Sequence, residues 1–123
     1  MKYFNLLKQK NIYRDIDARA KNKKKNMTLA RKFGFEYFDG TREQGYGGYR
    51  YDGRWKEISK RAKLRYNLNQ NSRILDIGCA KGFFVKDLCD FLKNKTIFGV
   101  DISEYAIKNC HKDVVGFLHQ CDA

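Results

Sequence analysis

Two glycines and two acids carry the chemistry that this chain advertises. Ile74 to Phe84 reads ILDIGCAKGFF: a short apolar run delivers Asp76, and the chain then turns through Gly78, Cys79, Ala80, Lys81 and Gly82. Glycine has no side chain, so backbone can approach a ligand closely and adopt φ > 0 where the chain must bend. A helix starting after Gly82 would add free N–H groups and the positive end of its dipole. The second acid, Asp101, ends the strand-like run from Thr96 to Val100, 19 residues beyond Gly82. That interval holds one helix and one tight turn, so the segment reads as a βαβ unit with an acid at the tip of its second strand. Read without that context, Asp76 and Asp101 are strand-end or helix-cap acids.

These elements must be positioned by a sheet and its helices. Between the strands, Phe84, Leu88, Phe91 and Leu92 recur at i, i+4, i+7 and i+8, the spacing of one apolar helix face, with Asn94 as a left-handed stop. Ser103 is a good N-cap for a short helix carrying Tyr105, Ala106 and Ile107. A third strand-like run, Val114 to Gln120, leads into Cys121, Asp122 and Ala123. The fold class is therefore α/β, in the order β, α, β, α, β.

The stretch from Asp76 to Gly82 resembles motif I of the class I S-adenosylmethionine-dependent methyltransferases: an acid, then Gly-x-Gly-x-Gly, with Ala80 at the middle glycine. The dinucleotide pattern Gly-x-Gly-x-x-Gly fits worse, because Ala80 and Phe83 stand where two of its glycines belong. The resemblance implies a Rossmann-like half-sheet that binds S-adenosyl-L-methionine. By it, Gly78, Cys79, Ala80 and Gly82 would hold the methionine moiety, and Asp76 would reach its ammonium directly or through water. Asp101 would accept the ribose hydroxyls, each charge-assisted hydrogen bond contributing roughly 1.5 to 3 kcal/mol. Ile102 would pack on the purine and Asp122 would meet the adenine amino group, with Cys121 and Ala123 flanking its edge; the plainer reading of Asp122 is a loop acid. The chemistry implied is displacement at the cofactor methyl by an O, N or C nucleophile, with the enzyme supplying proximity and orientation. In this family further strands carry the catalytic and substrate-selecting loops. The chain is thus expected to be the N-terminal portion of a longer enzyme, inactive alone, with its first strand an unpaired edge, and no catalytic residue is assigned.

Charge divides the chain. Residues 1–73 hold 20 Lys and Arg against 7 Asp and Glu, or +13, whereas residues 74–123 hold 6 against 7, or −1. The expected organisation is a basic helical extension with a Gly- and Tyr-rich loop over 1–53, and a truncated cofactor-binding half with a lead-in helix over 54–123. Lys21, Lys23, Lys24 and Lys25 could track phosphates or form a solvated helix face. In the extension, Asp15 to Phe33 reads as a helix ended by Gly34, packing through Ile12, Ile16, Ala20, Met27, Ala30 and Phe33. Trp55 to Tyr66 reads as a second helix, laying Ile58, Ala62, Leu64 and Tyr66 against the sheet. Between them Gly45 to Trp55 holds four glycines and four aromatics. It is either a mobile cover that brings Tyr46, Tyr49 or Tyr51 over the cofactor sulfonium, or a rigid aromatic loop packed at the sheet edge.

Composition narrows the remaining classes. With 42% hydrophobic and 15% aromatic residues the chain is too apolar for a solvating tail. No run reaches the roughly 18 apolar residues of a membrane span and no signal-peptide core opens the sequence, so a cytoplasmic protein without a membrane partner is expected. Cys79, Cys89, Cys110 and Cys121 form no C-x-x-C pair, and His111 and His119 lack ligand spacing, which points to reduced thiols and no metal. The expected function is a methyltransferase for a small-molecule or sugar acceptor. The alternatives are an RNA methyltransferase gripping its substrate with the basic extension, and a nucleic-acid-binding or regulatory module whose cofactor site is vestigial.

Overall fold

In a computed structural model that describes residues 16–123, three parallel strands stand in the order β1 (Ile74–Ile77), β2 (Ile97–Asp101), β3 (Leu118–Gln120). Ile12 and Asp15 lie outside the described residues. The helices are α1 (Ile16–Lys21), α2 (Lys23–Ala30), α3 (Phe35–Phe38), α4 (Trp55–Tyr66), α5 (Phe83–Leu92) and α6 (Glu104–Lys108). From β1 onward the order β1, α5, β2, α6, β3 is the α/β half-sheet of a Rossmann-like fold. Ile77 pairs in register with Val100 and Asp101 with Gln120, so all three strands end at one edge.

The core lies on one face of this sheet, where Val85, Leu88 and Leu92 of α5 meet Cys79, Ile97, Val114 and Leu118. Burying side chains of this size contributes about 1.5–3 kcal/mol each. Gly99 makes the approach possible, since a Cβ there would come within 2.7 Å of the Cys79 side chain and 2.8 Å of Leu118. On the opposite face Leu75, Ile77 and Phe98 remain exposed, and no described strand pairs with the outer side of β1.

The expected α5 face is correct at Leu88 and Leu92 and at Phe84, which packs against the same core while also meeting Trp55, whereas Phe91 lies exposed beneath Lys63. The helix stops at Lys93, not Asn94: Lys93 takes the left-handed conformation (φ 53°) and donates its N–H to Cys89. Asn94 is buried instead. Its side-chain NH2 donates to the Ser72 carbonyl at 2.6 Å and its oxygen accepts the Thr96 N–H at 2.6 Å, stapling the entrances of β1 and β2 together.

Three further expectations need correction. Helix α4 spans Trp55–Tyr66 as read, but it packs through Ile58 and Ala62 onto α5, which already covers the sheet. Leu64 stands six residues from Ile58, roughly 240° around the helix, and both Leu64 and Tyr66 face solvent. The single helix expected before Gly34 is two, interrupted at Asn22, and it ends at Ala30; Gly34 begins α3. Ile16 and Met27, expected to pack, are exposed. Of the run from Val114 to Gln120 only Leu118–Gln120 is strand, because a 3-10 turn over Lys112–Val114 and a positive φ at Gly116 precede it. No described helix is long and apolar enough to cross a membrane.

Candidate functional site

The loop after β1 is hooked to β2 by its backbone. The N–H groups of Gly78 and Cys79 both donate to the Val100 carbonyl, at 2.8 and 3.0 Å, and the Ala80 N–H donates to Asp101 Oδ2 at 2.7 Å. Ala80 accepts a left-handed φ of 51° to do so. The other oxygen of Asp101 accepts the Ser103 N–H at 2.8 Å and its carbonyl accepts the Cys121 N–H at 3.0 Å, so this one residue gathers the loop, the start of α6 and the end of β3. Each carboxylate oxygen keeps a lone pair for a further donor.

The two glycines of the loop do different work. Gly78 has φ 81° and a Cβ placed on it would meet nothing within 4 Å, so the backbone is bare toward open space. Gly82, at the start of α5, has φ 73°, and a Cβ there would lie 2.5 Å from Leu118 Cδ1 and 2.9 Å from Val114 Cγ2. It is the glycine that lets the helix close on the sheet.

A cleft of about 310 Å³ opens at the carboxyl edge of the sheet. One side is built by Gly78, Ala80, Asp101, Ile102 and Asp122, with Ile77, Val100, Cys121 and Ala123. Phe33, Tyr37, Phe38 and Tyr46 of the extension form the other. Of the residues read from the sequence, Asp76, Cys79 and Gly82 do not line it. Cys79 turns its side chain into the core, where burial, and then the charges of Asp76 and Asp101, push its thiol up to about 12. Asp76 is half-buried; burial first and the charge of Asp101 second raise its carboxyl above the usual range, and no hydrogen bond or cation offsets them among the described residues. A carboxylate in that state fits a cationic ligand group.

The Gly- and Tyr-rich segment packs as a cap against α3 and the start of α5. A Cβ at Gly45 would fall 2.0 Å from the Tyr37 carbonyl, and the Gly48 and Tyr49 N–H groups donate to the Phe38 carbonyl at 3.0 and 2.8 Å. Among Tyr46, Tyr49 and Tyr51 only Tyr46 lines the cleft. Tyr49 stacks on Phe83 at 4.9 Å, and the Tyr51 hydroxyl donates to Asp87 at 2.5 Å. The cap therefore rests on the loop and the beginning of α5 rather than on the sheet edge. Phe33, Tyr37 and Phe38 had no signature in the sequence that set them apart from core aromatics.

Parallel strands ending at one edge, with a glycine loop after the first and an acid at the tip of the second, define an α/β half-sheet of Rossmann-like form. Residues 68–115 match the model of a family described as a methyltransferase domain. No curated protein matches the chain. Among solved structures the MccD protein is similar at 21% identity and a TM-score of 0.43, over 50% of this chain. The match spans 29% of that protein's length.

Proposed function

We propose that this chain is the S-adenosyl-L-methionine-binding portion of a methyltransferase that acts on a small-molecule or sugar acceptor. The observation that carries the reading is the cleft that collects Gly78, Ala80, Asp101, Ile102 and Asp122 at the carboxyl ends of three parallel strands. The bound cofactor would supply a methyl group activated on a sulfonium. Bare backbone at Gly78 suits close approach by the methionine half, and the uncompensated Asp76 carboxylate suits its ammonium. Asp101 would hold the ribose, Ile102 the purine face and Asp122 the adenine amino group. The aromatic wall of Tyr37, Phe38 and Tyr46 would exclude water from the reacting side and admit a compact acceptor.

A calorimetric melt with and without S-adenosylhomocysteine tests this reading. Ligand at a hundred times its dissociation constant adds about 2.7 kcal/mol to a competent site, so the transition should move up. A transition that stays put favours the vestigial, non-catalytic module. The exposed Lys23, Lys24 and Lys25 on α2 favour an RNA acceptor as the second reading. RNA affinity should then fall roughly a hundredfold or more between about 50 and 200 mM salt, and salt-independent or absent binding would remove it.

A further inference from the structure

The extension contributes more than a wall. Asp39, just after α3, accepts three hydrogen bonds: from Lys81 Nζ at 2.6 Å and the Tyr105 hydroxyl at 2.6 Å on Oδ2, and from the Tyr49 N–H at 3.2 Å on Oδ1. These donors belong to the glycine loop, to α6 and to the Tyr-rich cap. Lys81 is only 7% exposed, and Asp39 is the carboxylate that neutralises it. Lys81 also sits between Ala80 and Gly82, both left-handed, and its carbonyl accepts the His111 N–H at 3.0 Å.

We propose that Asp39 is a positioning residue for the cofactor site: through Lys81 it holds the glycine loop in the shape that presents Gly78 and aims the Ala80 N–H at Asp101, and through Tyr105 it sets the aromatic wall. The inference rests on the cofactor reading above and assigns the extension a part in it. Removing the Asp39 charge leaves a buried ammonium without its partner, a strongly unfavourable state. Lys81 relieves that state by swinging toward solvent, and the short loop moves with it. The wall is linked by the same carboxylate. Phe38 stacks on Tyr105 at 6.2 Å, and Ser103, the cap of α6, donates its hydroxyl to the Phe33 carbonyl. Phe38, Ala80 and Ala106 form one buried cluster across the three elements.

The test uses the full chain and three variants, Asp39→Asn, Tyr105→Phe and Asp39→Asn with Lys81→Met, read by amide hydrogen exchange and by S-adenosylhomocysteine titration. Asp39→Asn should speed exchange at Ala80 and Tyr49 together while the Gly99 amide, bonded across β2 and β3, stays protected. It should weaken the ligand roughly tenfold or more. Tyr105→Phe, which leaves no buried charge, should shift both readouts in the same direction by less, and Lys81→Met should restore part of what Asp39→Asn loses. Faster exchange confined to the extension, with the Ala80 amide and the ligand affinity unchanged, overturns the proposal; so does an Asp39→Asn loss that Lys81→Met leaves whole or deepens. A wild-type chain that takes no S-adenosylhomocysteine overturns the cofactor reading instead, and the exchange rates, which need no ligand, still decide the link from Asp39 to the loop.

Discussion

The Ala80 N–H donates to Asp101 Oδ2 at 2.7 Å, which makes the acid at the tip of β2 part of the loop that follows β1. Asp101 therefore holds the loop, and in the proposed site it would also offer its remaining lone pairs to a ligand.

Separating those duties calls for two substitutions. Asp101→Asn keeps one acceptor oxygen but sets its NH2 against either the Ala80 or the Ser103 N–H, so it should cost on the order of 1 kcal/mol of stability and weaken S-adenosylhomocysteine roughly tenfold or more, about 1.4 kcal/mol. Asp101→Ala should also cost on the order of 1–3 kcal/mol of stability, because the Ala80 and Ser103 amides lose their acceptor. Titration calorimetry and thermal melts check both, and an Asn variant that binds like wild type would take Asp101 out of the site.

The motif position that departs from glycine should tolerate change, and the one that keeps it should not. Ala80→Gly trades relief of a left-handed alanine, about 1–2 kcal/mol, against a lost buried methyl and greater chain entropy of similar size. A net effect within about 1 kcal/mol is expected. Gly82→Ala drives a methyl into Leu118 and Val114 and should cost about 2–4 kcal/mol from overpacking and backbone strain together. Denaturant melts decide between them; equal losses would refute the separate roles of the two positions.

Asp76 should stabilise the complex at the expense of the free protein. Burial and the charge of Asp101 raise its carboxyl, so the ionised form is disfavoured in the fold, and that penalty is relieved as pH falls through the raised value. Asp76→Asn should raise the melting temperature of the ligand-free chain at neutral pH while weakening S-adenosylhomocysteine. A lower melting temperature together with unchanged affinity would contradict both halves.

Asp39 carries the opposite sign. Burial pushes its carboxyl up, but hydrogen bonds from Lys81 and Tyr105, the Lys81 charge and the Tyr49 N–H together hold it below the ordinary 3.8. A carboxyl lowered in this way contributes stability that is full above its unfolded value and lost as pH falls through the folded one. The stability gap between wild type and Asp39→Asn should therefore be constant near neutrality and narrow below about pH 4. Paired melts from about pH 3 to 7 measure it, and a gap independent of pH would show that the ion pair contributes nothing.

What the sequence determined by itself is what short-range physics encodes. The alternation of Ile74–Ile77, the glycines beside Ala80 and the helical spacing of Leu88 and Leu92 set β1, its turn and α5, and the interval to Asp101 implied the second strand. Helix α4 was legible for the same reason, to its ends. The tertiary structure alone decided which face each element uses and which partners its polar groups meet. Leu64 faces water because α5 had taken the sheet, Cys79 turns inward because Gly99 leaves room for it, and Asn94 is a staple because Ser72 and Thr96 arrive beside it. Asp39 and Lys81 stand 42 positions apart, and nothing local marks either as the other's counter-charge. Backbone conformation and periodicity are settled within a few residues of chain, whereas the neutralisation of a buried charge depends on what folding brings next to it.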